Sequence, residues 1–399
     1  MGDDEPRNVK ELLVESKDVS ELMVDLGYAA VFFNDEDLAA EVLQLEERLG
    51  GYLWRLREIA ILAARSPEDA EAMAGVLRVA EAIEKIGAAA ADIARVIQVH
   101  LGIPTGLRPA LRHADEIVGR VRVREGAPCV GRSLRELLLP SETGMWIMAV
   151  RRGEQWEFDP GPDTVLSEGD VLLFQGPAEG VNLLRAVAGA HPLPEPPEEA
   201  GPPLTELDRA VDILIEMKNA AEVAVGLAYS ALLFKDPALA AEVATLEARS
   251  DMLLDELESW VLKAAPEARN PDELRGLLRL AYASEAIFDA ARDMTWLVER
   301  GEELHPVIQA ALEETEEVAT QMVVERGSRA EGRSLRQLQL ETETGVFVLA
   351  VQRGRRWIYR PRPQLVLEAG DRVIGVGPEE GIPELEALFR APQPAVDRD

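Results

Sequence analysis

The sequence matches itself at an offset of 201 residues, and this duplication constrains the fold more than any other feature. Phe33-Asn34-Asp35 recurs as Phe234-Lys235-Asp236, and Leu38-Ala39-Ala40-Glu41-Val42 as Leu239-Ala240-Ala241-Glu242-Val243. Gly131-Arg132-Ser133-Leu134-Arg135 returns as Gly332-Arg333-Ser334-Leu335-Arg336, Glu142-Thr143-Gly144 as Glu343-Thr344-Gly345, Trp156 as Trp357, and Gly169-Asp170 as Gly370-Asp371. One three-residue difference, near Pro67 and Pro271, interrupts the register. A period this long means duplicated domains rather than a solenoid. Between the halves, residues 192–204 are rich in proline and acids, which reads as a stiff, extended spacer.

Each half divides again. From Val9 the apolar positions Leu12, Leu13, Val19, Leu22, Met23 and Leu26 form one helical stripe. Ser66-Pro67-Glu68-Asp69 and Asn270-Pro271-Asp272-Glu273 are helix starts, with a capping side chain, proline in the first turn and acids facing the dipole. Helical signals continue to about His113 and Glu316, so each half opens with an antiparallel bundle. The period then shortens. Met145 to Val150, Trp156 to Phe158 and Val171 to Phe174 read as strands, repeated by Val346 to Val351, Trp357 to Tyr359 and Val373 to Val376. The expected fold is α+β and multidomain: bundle 1–116, small α/β domain 117–191, spacer 192–204, bundle 205–318, small α/β domain 319–392.

Composition excludes several functions. A net charge of −31 leaves no basic footprint for nucleic acid or an anionic membrane surface, and it favours a cationic or localised partner. No apolar run approaches a membrane span, and the acidic Met1-Gly2-Asp3-Asp4-Glu5 is unlike a signal peptide, so a cytoplasmic location is expected. Cys129 stands alone, and His100, His113, His191 and His305 are scattered, which leaves no thiolate cluster or zinc spacing. There is no nucleophile elbow, phosphate loop or Ser-His-Asp set, so a non-enzymatic protein is expected.

Residues 121–189 resemble the C-terminal regulatory domain of potassium channel and transporter gating subunits, RCK-C or TrkA-C. The likeness lies in Gly131-Arg132-Ser133-Leu134, Ile147 to Gly153 and Leu166 to Leu172, and residues 322–389 fit the same pattern. The helical segments resemble PhoU bundles through Leu38 to Val42 and Glu84-Lys85-Ile86-Gly87. The order PhoU-like, RCK-C, PhoU-like, RCK-C resembles archaeal potassium-channel-related proteins. One departure stands out: no G-x-G-x-x-G follows a strand, so the Rossmann domain that usually precedes RCK-C is missing from this sequence.

What the resemblance implies about sites stands beside simpler readings. PhoU bundles bind metal through E/D-x-x-x-D pairs, whose spacing sets two carboxylates on one helical face. Glu247 with Asp251 and Glu285 with Asp289 fit, as candidates for a divalent metal, or as acids on a solvated face. The first half breaks the pattern, with Gly50 after Glu46 and Ala88 after Glu84. RCK-C domains pair two-fold and bind small ligands between them, cyclic di-AMP in some members. Arg151, Arg152, Trp156, Arg353, Arg355 and Trp357 are the candidate contacts here, since guanidinium groups grip phosphate and indoles stack on bases. The alternative is a charged hairpin turn with the indole covering the sheet. Trp146 and Phe347 read as core, and the recurring Glu15-x-Lys17 and Glu216-x-Lys218 as an ion pair to a neighbouring helix or a polar face.

Three functions follow. The first is a cytoplasmic regulator of potassium or cation transport, a homodimer that senses a nucleotide such as cyclic di-AMP and contacts a membrane channel or transporter. The second is a metal-binding regulator of phosphate or other ion uptake. A ligand-free assembly protein is the third.

Overall fold

The computed structural model describes residues 8–102, 116–192 and 205–391, apart from 154, 159 and 269. The spacer between the halves, save Pro192, and His113 lie outside the described residues. In the first half the elements are α1 (Val9–Phe33), α2 (Glu36–Ala63), α3 (Pro67–Gln98), β1 (Glu116–Arg122), α4 (Leu134–Leu137), α5 (Leu139–Thr143), β2 (Trp146–Arg152), β3 (Gln155–Phe158), β4 (Val171–Pro177) and α6 (Val181–Val187). The second half repeats them as α7 (Glu206–Phe234), α8 (Pro237–Ala264), α9 (Pro271–Glu299), an added short α10 (Pro306–Leu312), β5 (Val318–Val323), α11 (Leu335–Leu338), α12 (Leu340–Thr344), β6 (Phe347–Arg353), β7 (Arg356–Tyr359), β8 (Arg372–Gly377) and α13 (Ile382–Phe389).

The chain sorts like with like. One compact unit draws on Met1–Ile117 and Glu195–Thr315, and so holds both bundles; the other draws on Val118–Pro194 and Glu316–Asp399, and holds both small domains. Among the described residues no helix is long and apolar enough to cross a membrane.

In the helical unit the long helices begin on side-chain caps: Asn8, Asp35 and Ser66 in one bundle, Thr205, Asp236 and Asn270 in the other. Asn34 and Lys235, both left-handed, close α1 and α7 and turn the chain into the next helix. Leu12, Met23, Leu38, Leu56 and Ile86 are fully buried in the first bundle. The bundles meet through α3 and α9, which run antiparallel: Gly75 lies against Leu297, Lys85 against Asp293, and Gly102 against Glu273.

The recurring lysines sit at this junction, both buried to 4% exposure. Lys17 pairs with Glu21 of its own helix at 2.5 Å, and its ammonium stands 5.3 Å from the ring of Tyr229 in the other bundle. Lys218 pairs with Glu222 and stands 5.3 Å from the ring of Tyr28. Each lysine thus meets a carboxylate one turn on, at i+4, while Glu216 of the same motif pairs with Arg249 of the neighbouring helix. What crosses between bundles is cation on aromatic face. The two halves differ in the phenols: Tyr28 bonds Ser284 of α9 at 2.8 Å, whereas the Tyr229 hydroxyl is buried without a hydrogen-bond partner. Burial pushes both phenols above their ordinary range.

Each small domain is a four-stranded sheet, ordered β1-β4-β2-β3 and β5-β8-β6-β7. β2 and β3 form a tight hairpin, with Arg151 opposite Trp156, and β4 returns antiparallel on the other side of β2. The inward residues Val346, Val348, Val351, Leu367 and Val373 pack against Leu385 and Phe389 of α13 to fill the second core. Ser133 and Ser334 start α4 and α11 with full capping boxes. The edge strands β1 and β5 and these short helices add to the strands read from the sequence. Trp146 and Phe347 are half-buried rather than core, because they begin β2 and β6 where the strands leave the sheet's packed centre.

Removing one member of a buried ion pair strands the other charge and costs about 3 kcal/mol or more, whereas replacing both with apolar groups is close to neutral. Glu222→Ala is therefore expected to lower the urea midpoint of the helical unit markedly. Lys218→Met combined with Glu222→Leu is expected to recover most of that loss.

Candidate functional site

The two small domains pair within the chain. Thr143 fixes the turn after α5 by donating to Leu139 O at 2.6 Å and accepting from Met145 N–H at 3.2 Å; Thr344 does the same after α12, to Leu340 O and from Val346 N–H. The next residues, Gly144 (φ 72°) and Gly345 (φ 70°), are left-handed. Each presses on the other domain. A Cβ on Gly144 would stand 2.7 Å from Glu341 O, and one on Gly345 2.6 Å from Pro140 O. α5 thus lies on α12 about a local two-fold, at a distance that admits no side chain. The symmetry is incomplete: Arg336 reaches Glu179 of the other domain at 3.6 Å, while its counterpart Arg135 turns to Asp163 of its own at 3.2 Å.

The six candidate ligand residues separate by role. Arg152 donates from Nε (3.0 Å) and a terminal nitrogen (2.8 Å) to the two carboxylate oxygens of Asp170, which is 1% exposed, and also to Val165 O. Arg353 repeats this with Asp371 at 2.9 and 2.6 Å and with Val366 O. Hydrogen bonding to these aspartates raises both guanidinium pKa values. The fork that a phosphate would need is therefore spent on a buried internal partner. Arg151 is placed differently. Its guanidinium stands 5.3 Å from the Trp156 ring, Arg120 stands 5.5 Å from the same ring, and Trp156 stacks on Phe158 at 5.7 Å. The Nε of Arg151 is buried without a hydrogen-bond partner. In the second domain Gln352 occupies the place opposite Trp357, and Arg355 is exposed in the following turn. These two groups lie on separate sheets.

The metal candidates of the second bundle do converge. Glu285 is pushed up to about 7, first by burial and then by the negative charges of Asp289, Asp251 and Glu247. Asp289 is raised by the same causes, with Asp293 adding to them. Cations answer part of this charge: Arg292 binds Glu247 at 2.7 Å, and Lys85 of the other bundle binds Asp293 at 2.7 Å. The first bundle has two fewer acids there, and arginines pair with those it keeps, Arg95 with Glu46 at 2.6 Å and with Asp92 at 2.7 Å, and Arg57 with Glu84. Acid hardness and excess charge suit a divalent cation or a proton. As placed, no three His, Cys, Asp or Glu among the described residues stand in an arrangement that holds a metal.

Sequence reading passed over Asp170 and Asp371, which mark the repeat but show no sign of partnering an arginine 18 positions earlier. It also passed over Gly144 and Gly345, whose contacts belong to the other domain.

The TrkA-C domain family matches residues 118–189 and 319–390, and the PhoU domain family matches 13–97 and 214–296. The chain thus carries two PhoU domains alternating with two TrkA-C domains. Among solved structures it is similar to the RCK_C domain dimer of S. agalactiae BusR in complex with c-di-AMP, at 25% identity, over 18% of this chain and 95% of that one, with a TM-score of 0.18. It is similar to PhoU from Pseudomonas aeruginosa at 16% identity, over 73% and 93%, with a TM-score of 0.39. The GsuK RCK domain is similar at 14% identity, over 70% and 69%, with a TM-score of 0.17. No curated protein matches the chain.

Because Glu285 titrates above its ordinary 4.5, the native chain holds a proton that the unfolded chain releases. Its contribution is present below about 4.5 and is lost as pH rises through about 7. Glu285→Gln is expected to flatten this decline, raising Tm by a few degrees at pH 8 and leaving it unchanged near pH 4.5, as read by a pH series of thermal melts.

Proposed function

We propose that this chain is a non-enzymatic regulator of potassium or other cation transport, acting on the cytoplasmic side, in which the paired TrkA-C domains sense a small anionic ligand. TrkA-C and PhoU domains together mark a regulatory protein for ion transport. The observation that carries the finer reading is the pairing of both TrkA-C domains within one chain, through Gly144 and Gly345. The two-fold arrangement that such a shared site needs would here come from one chain. Arg151 and Trp156 are the contacts best placed to take a phosphate and a base, with Arg355 and Trp357 as the second domain's share. Arg152 and Arg353 hold the sheet through Asp170 and Asp371 instead. For regulation, the ligand must bind one arrangement of the pair more tightly than another, by about 1.4 kcal/mol for each tenfold of response. The PhoU bundles would carry that change to the channel or transporter.

Calorimetric titration of metal-stripped chain with cyclic di-AMP tests this. The expected result is saturation at one ligand per chain, weakened at least tenfold by Arg151→Ala and by Trp156→Ala. Saturation at one ligand per two chains, or no binding of any nucleotide tried, would remove the reading.

The charge excess around Glu285 favours a second reading, a cation-responsive regulator of ion uptake in which a divalent ion at Glu247, Asp251, Glu285 and Asp289 replaces the shared proton. The pH series separates the two. Added Mn²⁺ would then raise Tm at pH 8 and have little effect near pH 5, and Asp251→Asn with Asp289→Asn would abolish the difference.

A further inference from the structure

Each small domain has a second sheet face, opposite its helix-packed core. On the first sheet Ala149, Leu173 and Phe158 share one row of that face, and Arg151, Val171 and Trp156 the next. Arg120 joins them from β1, its guanidinium 5.5 Å from the Trp156 ring, although β1 and β3 are the two edges of the sheet. At the usual strand spacing that is a span of about 14 Å. Arg120 therefore lies flat across β4 and β2. Its apolar stem passes over Leu173 and Ala149, both fully buried, and its charge comes to the ring that Arg151 also meets.

Two guanidinium groups thus converge on one indole. Like charges this close repel, and the Nε of Arg151 is buried without a hydrogen-bond partner. The acids next in sequence to Trp156 and Val171 are turned away from them. Glu157 lies opposite Val150 on the core side and accepts from Thr164 at 2.6 Å, and Asp170 is held by Arg152.

The second domain keeps the rings and moves the charge. Trp357 and Tyr359 repeat Trp156 and Phe158, and the fully buried Ala350 and Ile374 repeat Ala149 and Leu173. Gln321, however, stands for Arg120, Gln352 for Arg151, and Arg372 for Val171. Arg372 donates to Gln321 at 2.6 Å and to Gln352 at 3.4 Å. One guanidinium, with donors spent on two amide oxygens, covers this face from within.

We propose that Arg120 is a further ligand contact, that the ligand's phosphate lies on the first sheet between Arg120 and Arg151, and that Arg372 closes the matching face of the second sheet. The inference rests on the nucleotide reading above and adds where the phosphate goes. A phosphate there offers acceptors to both guanidinium forks at once and offsets their repulsion. On the second sheet it would have to displace two amides to reach a single charge.

Calorimetric titration of the full chain with cyclic di-AMP separates the charge of Arg120 from its packing. Arg120→Met keeps an apolar stem and removes the charge, and is expected to weaken binding at least tenfold. Arg120→Lys restores the charge and is expected to recover part of that loss. Arg120→Gln, the residue the second copy carries there, replaces the Met variant if circular dichroism shows the latter misfolded. Arg372→Met is expected to bind as the parent does, at one ligand per chain. A parent that binds and depends on Arg151 but not on Arg120 would overturn this inference alone. So would a Lys variant no better than the uncharged one, or a tenfold loss in Arg372→Met. A parent that binds no nucleotide would overturn the reading beneath it as well.

Discussion

Two glycines set how closely the TrkA-C domains approach. Gly144 and Gly345 adopt a backbone conformation that side-chain-bearing residues avoid, and each brings its domain against a main-chain carbonyl of the other. The turn that presents them is held by Thr143 and Thr344, one residue earlier. Pairing in turn fixes which surfaces of the two sheets remain open, and so where a shared ligand could lie. A methyl group at either glycine would push the domains apart by more than a packed interface tolerates.

Duplication gives the chain an inner symmetry, and divergence then uses it. Both bundles keep the buried lysine, its carboxylate one turn on, and the facing phenol, because the junction needs the same contact twice. Away from the junction the copies part. The first bundle answers its carboxylates with Arg57 and Arg95; the second adds Asp251 and Asp289 and carries an excess that raises Glu285. The small domains diverge in the same manner, with Arg151 beside Trp156 in one and Gln352 opposite Trp357 in the other. In both pairs the shared contacts are kept and the surrounding charge is what differs.

Much of this was legible in the sequence, for physical reasons. Long helices declare themselves by apolar period and caps, and Ser66 and Asn270 cap where the residue pattern places them. The central strands are continuous apolar runs and were readable as such. Short helices such as Leu134–Leu137 have too few residues to show a period, and β1 alternates over only seven. The carboxylate cluster was readable because its members lie at helical spacing on adjacent helices. The roles of Arg152 and Arg353 were not. Their partners lie 18 residues away across a loop, and only folding brings a buried aspartate to each fork. Nor does any local pattern reveal that a glycine's constraint comes from another domain.

The central claim is that one chain supplies both halves of the TrkA-C pair, and isotope-mixed cross-linking tests it most directly. Unlabelled and ¹⁵N-labelled chains would be mixed and unfolded, refolded together, and cross-linked with a carboxylate-directed reagent. Peptides joining α5 to α12, through Glu142 and Glu341 or Glu343, would then be read by mass spectrometry. Pairing within the chain predicts joined peptides that are wholly light or wholly heavy. Joined peptides of mixed isotope, in the proportion that random association of chains gives, would contradict it.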